Sequence, residues 1–134
     1  MIEWSGQLPN IIFGGRSPLP RIRAIVNGTE VFSGSLDIAN HPKTVNELLR
    51  ARTVKTIAVL RGDYYMFRVP VRVGAEKPES AYKEGDLAFD FMGGWLLLFK
   101  KRSMYAGRAN YVGALEGRVP DIKPGTEIVL VFTP

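Results

Sequence analysis

Cysteine is absent from the 134 residues, and histidine occurs once, as His41. The first absence excludes disulfides, thiolate nucleophiles, iron–sulfur clusters and thiolate zinc sites. The second excludes a histidine-rich metal site within one chain, and it leaves a Ser-His-Asp triad only if His41 serves it. His41 precedes Pro42 at what reads as a helix start, so a polar residue capping or flanking that helix is expected. No EF-hand or similar carboxylate spacing occurs, and no metal or cofactor is expected. Long apolar runs are missing too: none approaches the roughly 20 residues of a membrane helix. The opening stretch MIEWSGQLPNIIFGGR has an acidic residue and early breakers where a signal peptide needs a basic and then an apolar run. A cytoplasmic protein without a membrane partner is expected.

Apolar residues make up 46% of the chain and charged residues 23%, which places it with globular domains. The length suits a single domain with a real core. Eighteen Lys and Arg against thirteen Asp and Glu give a net charge of +5. The basic residues are scattered, and only Lys100-Lys101-Arg102 and the pair Arg21/Arg23 cluster. A solubilising surface is the expectation, with nucleic-acid binding through these residues, beside Tyr105 and Tyr111, the last alternative.

The stretch Glu84 to Lys101, EGDLAFDFMGGWLLLFKK, reads as two apolar strands joined at Gly93-Gly94. A two-residue loop pairs Asp90 with Leu97. A four-residue loop, Phe91 to Gly94, shifts the pairs and keeps each side chain on its face, because strand side chains alternate with period two. One face carries Leu87, Phe89, Phe91, Leu96 and Leu98 and must be core. The other carries Asp86, Ala88, Asp90, Met92, Trp95, Leu97 and Phe99. That mixture suits either a half-buried groove or a face covered by a loop or helix with the Asp residues at its rim.

Elsewhere, residues 1–20 hold three prolines and a Gly14-Gly15 pair and read as an N-terminal extension with a short strand at Ile11–Phe13. Residues 21–134 form the domain proper. Asn27-Gly28 between alternating runs predicts a hairpin. Pro42 suits a first helical turn, Thr44 and Glu47 have capping-box spacing, and Val45, Leu48 and Leu49 make an apolar stripe. Val54–Leu60 and Tyr64–Val73 read as strands about Arg61-Gly62-Asp63, with Pro70 confining the later part to an edge or bulge. Residues 74–84 and 103–110 read as loops. Tyr111–Val119 reads as a bent strand, and Thr126–Thr133 as a central one. About eight strands, apolar on both faces, and one helix predict a mainly β protein, a compact barrel with one or two capping helices.

The order of these elements resembles a small, functionally uncharacterised cyclophilin-like family of archaea and bacteria. The resemblance rests on the helix with Val45, Leu48 and Leu49, and on the strand YYMFRVPV from Tyr64 to Val71. It continues through Gly85-Asp86, the Gly-Gly loop before Trp95-Leu96-Leu97-Leu98-Phe99, Tyr111-Val112-Gly113 and the apolar C-terminal strand. It covers roughly residues 22–132 and implies a closed, eight-stranded cyclophilin-type barrel. True cyclophilins are peptidyl-prolyl isomerases whose working arginine lies in a Phe-His-Arg-Val motif. Phe67-Arg68-Val69 is similar to it, which makes Arg68 the implied catalytic residue, able to polarise the prolyl amide and lower its rotation barrier. The glutamine-bearing stretch that should follow is replaced by Pro70-Val71-Arg72-Val73. The leading expectation is therefore a non-catalytic module that binds a peptide or small molecule through Tyr65, Phe67, Arg68, Asp90 and Trp95, with isomerase activity at Arg68 second. The apolar second face would also suit a homodimer.

Overall fold

The computed structural model describes residues 19–134, so the expected strand at Ile11–Phe13 lies outside the described residues. Among these, ten strands and one helix follow in the order β1 (Arg21–Val26), β2 (Thr29–Leu36), α1 (Pro42–Ala51), β3 (Thr53–Ile57), β4 (Val59–Arg61), β5 (Tyr64–Arg68), β6 (Glu79–Tyr82), β7 (Asp86–Asp90), β8 (Trp95–Phe99), β9 (Ser103–Leu115) and β10 (Glu127–Thr133). No helix among them is long and apolar enough to cross a membrane. All strand pairs are antiparallel, and the hydrogen-bonded path runs β3-β10-β1-β2-β9-β7-β8-β5-β4, with β6 on β9.

That path has two ends, so the sheet is not the closed eight-stranded barrel expected from the sequence. The reason lies at Ala58. Up to Ile57 the chain pairs with β10, and from Val59 it pairs with β5. The expected strand Tyr64–Val73 also stops early, at Arg68. Pro70 has no N–H to offer a ladder, so the chain beyond Arg68 leaves the sheet.

The hairpins predicted from local signals form. Asn27 and Gly28 have φ of 50° and 79°, the positive pair that a type I′ turn demands. The central hairpin takes the four-residue loop, with Asp90 opposite Trp95 and Ala88 opposite Leu97. Leu87, Phe89, Leu96 and Leu98 sit in the main core together with Val45 and Leu48 of the helix. The second face is no half-buried groove. Ala88, Leu97 and Phe99 are fully buried in a second cluster with Met66, Tyr82, Tyr105 and Ala109. Two stretches expected to be loops supply the cover: Glu79–Tyr82 and the first half of β9 pair with each other and lie over that face.

The expected Thr44–Glu47 capping box does not form. His41 is the N-cap and makes no side-chain cap bond. Instead Glu76, from the segment after β5, accepts the N–H groups of Lys43 and Thr44 at 2.9 Å each and the Thr44 hydroxyl at 2.8 Å. Glu47 is held by Arg50 at 3.0 Å. Asn110, fully buried on β9, fastens this arrangement by accepting the Glu76 N–H at 2.7 Å and donating to Thr44 Oγ1 and Gly74 O at 3.0 Å each.

Candidate functional site

The residues expected to bind a ligand are divided by the sheet. On β5, Tyr65 and Phe67 point into the main core, at 1% and 0% exposure. The Tyr65 hydroxyl accepts the Ile122 N–H at 2.8 Å and donates to Pro120 O at 3.3 Å, which fixes it as a core tyrosine. Arg68 and Trp95 lie on the opposite face, paired across β5 and β8. The guanidinium sits 4.1 Å from the indole centroid and donates to Gly93 O at 3.0 Å. Asp90 shapes the central turn: Oδ1 accepts the N–H groups of Met92 and Gly93, and Oδ2 accepts the Tyr105 hydroxyl. Burial and that carboxylate push the Tyr105 hydroxyl well above the ordinary phenol range. The structure thus brings Arg68 and Trp95 together, puts Asp90 beneath the turn, and leaves Tyr65 and Phe67 behind the sheet. The basic run is divided as well. Lys100 pairs with Asp121 and Lys101 with Asp63, while Arg102 turns to another surface.

Arg102 lines a cleft of about 950 Å³ built where β2, the loop into α1, β6, β7 and β9 converge. His41 and Asp86 line it at 4% and 6% exposure, with Tyr111 beside them. Both His41 ring nitrogens and Asp86 Oδ1 are buried without a hydrogen-bond partner among the described residues. Leaving such a group unpaired costs about 1–3 kcal/mol each, so three on two residues that line one cleft are an unusual concentration.

Local structure explains how each of them arrives there. Asp37 follows the end of β2, its N–H held by Val112 O at 2.8 Å. Its carboxylate accepts the Asn40 side chain, and its carbonyl accepts the His41 N–H at 3.1 Å. This turn places the His41 ring 5.9 Å from the ring of Tyr111, edge on, with Nδ1 3.9 Å from Asp37 Oδ2. Asp86 opens β7 after Gly85, and its Oδ2 accepts the Lys83 N–H at 2.9 Å. Burial, then the charges of Asp86, Asp37 and Glu79, raise the Tyr111 hydroxyl above the ordinary phenol value, so it is a hydrogen-bond donor at neutral pH. Lys77, Lys83 and Arg102 stand exposed at the rim, with no carboxylate partner among the described residues.

From the sequence, His41 is expected only as a residue capping or flanking the helix start. The signal available was Asp37 four residues before the single histidine, together with an aspartate, Asp86, opening an otherwise apolar strand. Among the described residues, no group of three or more His, Asp or Glu side chains could hold a metal ion.

No family model matches the chain. No curated protein matches it either. Among solved structures the chain is similar to the solution structure of a hypothetical protein from Archaeoglobus fulgidus, with 23% identity and a TM-score of 0.69 over 89% of this chain and 98% of that one. At that identity the likeness is one of fold.

Proposed function

We propose that this protein is a non-catalytic binding module for a small polar molecule, and that the ligand occupies the cleft walled by His41, Asp86 and Tyr111. One observation carries the reading: two ionisable side chains that line a cleft of ligand size are each more than nine-tenths buried and together hold three polar atoms without a hydrogen-bond partner among the described residues. A ligand that completes those hydrogen bonds recovers the desolvation cost that the empty protein carries. What supports a cyclophilin-type barrel as the scaffold is the position of β3 and β4: the two ends of the sheet path are one run of chain, interrupted at Ala58. Against a prolyl isomerase stands the state of Arg68. It is exposed, stacked on Trp95 and bonded to the turn carbonyl of Gly93, on the face away from Tyr65 and Phe67.

A thermal-shift screen of a metabolite library tests the reading. A true ligand raises Tm of the wild type in a concentration-dependent way. It leaves a folded Tyr111→Ala variant much less affected and an Arg68→Ala variant as responsive as the wild type. Hits that depend on Arg68 and ignore Tyr111 would move the site to the other face.

A further inference from the structure

We infer that the cleft takes a zwitterion of the amino-acid type, a free amino acid or a very short peptide, with its ammonium group at Asp86 and its carboxylate at Lys83, Lys77 and Arg102. This rests on the cleft being a ligand site, as proposed above, and adds the chemistry of the ligand.

The charges around the cleft balance in number, and the deeper ones are carboxylates. Three carboxylates line it, Asp37, Glu79 and Asp86, and three cations, Lys77, Lys83 and Arg102. Asp86 is buried and Asp37 half-buried, whereas Glu79 and all three cations are exposed, so the rim carries a net positive charge. A simple anion reaching the floor meets Asp86 and Asp37. A simple cation must pass the rim and leaves those three cations without a partner. A molecule carrying both charges satisfies both levels at once.

The hydrogen-bond inventory agrees with this polarity. Asp86 Oδ1 lacks a donor, and its Oδ2 has a single backbone donor from Lys83. A carboxylate has about four acceptor sites, so most of its capacity is unused. The two ring nitrogens of His41 are also without a partner among the described residues. An ammonium group brings three N–H donors to the unused acceptor sites of Asp86. The carboxylate torsion of an aspartate is soft, so Asp86 can turn Oδ1 toward the cleft at small cost. Tyr82, Tyr111 and the exposed Met104 also line the cleft and offer apolar surface to a ligand side chain.

The test is a ¹⁵N-correlation titration of the full chain with three matched probes: L-phenylalanine, 3-phenylpropionate, which lacks the ammonium, and phenethylamine, which lacks the carboxylate. L-methionine and Gly-Phe extend the zwitterion arm. At least one zwitterion should shift the amides of Gly85, Asp86 and Tyr111 saturably, with each half-molecule roughly tenfold to a hundredfold weaker, the loss expected for one charged hydrogen-bonding group. Asp86→Asn should weaken the zwitterion and leave 3-phenylpropionate unchanged. Should Asp86→Asn fail to fold, Lys83→Gln, on the exposed rim, should weaken zwitterion and carboxylate probes together. If 3-phenylpropionate or a sugar or nucleotide control binds the cleft as well as any zwitterion, the inference falls and the cleft remains a ligand site. If no compound of any class moves cleft amides, both fall.

Discussion

Tyr82 lies flat on Phe99, ring centroids 4.6 Å apart and planes 10° from parallel. One ring comes from a short strand in a polar stretch, the other from the most apolar strand of the chain. The Tyr82 hydroxyl donates to Ala109 O at 2.7 Å, with Glu79 O as a second acceptor within reach at 3.0 Å, which ties the cover to β9. Burial, then Glu79 and Asp86, push this hydroxyl far above the ordinary phenol range, so it stays protonated and donating. Tyr82→Ala removes the ring that covers Phe99 and opens the second cluster. It should cost about 3–5 kcal/mol in urea unfolding and raise binding of a hydrophobic dye. A loss below about 1 kcal/mol would mean that the second face is not held by this arm.

A second prediction concerns the crossing of β2 and β9. Gly113 lies opposite Leu36, and a side chain there would run into the Ser35 carbonyl. The obstacle is backbone and cannot rotate away. Gly113→Ala should destabilise the fold by roughly 1–3 kcal/mol, whereas Gly74→Ala, with open space around it, should cost far less. Equal effects in parallel thermal melts would contradict the close approach.

Much of this fold is legible in the sequence because the signals are local. Asn27-Gly28, Gly93-Gly94 and the Val45/Leu48 stripe each declare an element within a few residues. The elements without a local signal depend on distant partners. Glu79–Tyr82 is polar and follows Pro78, yet it becomes a strand because β9 offers an edge. Glu76 caps a helix that starts more than thirty residues earlier, in place of the nearby Glu47. The split at Ala58 belongs to neither strand's pattern; it reflects which neighbour, β10 or β5, comes within reach. The candidate site is hidden for the same reason. Period two puts Tyr65 and Phe67 on one face and Arg68 on the other, and a set combining all three could not converge from one strand. The His41–Asp86–Tyr111 cleft joins residues seventy positions apart, and the local hints, Asp37 before His41 and Asp86 at the start of an apolar strand, do not reveal that they meet.

The Glu76 cap gives the acid limb of stability a specific cause. Burial opposes its ionisation, but the Thr44 and Lys43 N–H groups, the Thr44 hydroxyl and nearby His41 outweigh that and hold its carboxyl below the ordinary range. A depressed folded value means that the stabilisation is complete above the ordinary carboxylate range and is lost as pH falls through the lower folded value. Glu76→Gln should lower stability at neutral pH and flatten the decline toward acid. Parallel wild-type and variant curves from pH 7 downward would show that Glu76 contributes nothing to that limb.

Arg68 yields a negative prediction. Its guanidinium is engaged with Trp95 and Gly93 O, so wild type and Arg68→Ala should both show only background rates in a protease-coupled prolyl isomerisation assay. The substitution should change Trp95 fluorescence and cost at most about 1 kcal/mol, as expected for an exposed cation–π contact. A wild-type rate above background that vanishes in the variant would restore the isomerase.

Because His41 is the single histidine, its imidazole gives one unambiguous NMR signal from inside the cleft. Following that signal while the best ligand is titrated is the most direct measurement. A ligand in the cleft must shift the His41 resonance along a saturating curve with the same Kd as the backbone amides of Asp86 and Tyr111. A ligand that binds while the His41 signal stays still, with shifts gathered instead around Arg68 and Trp95, would contradict the cleft as the binding site.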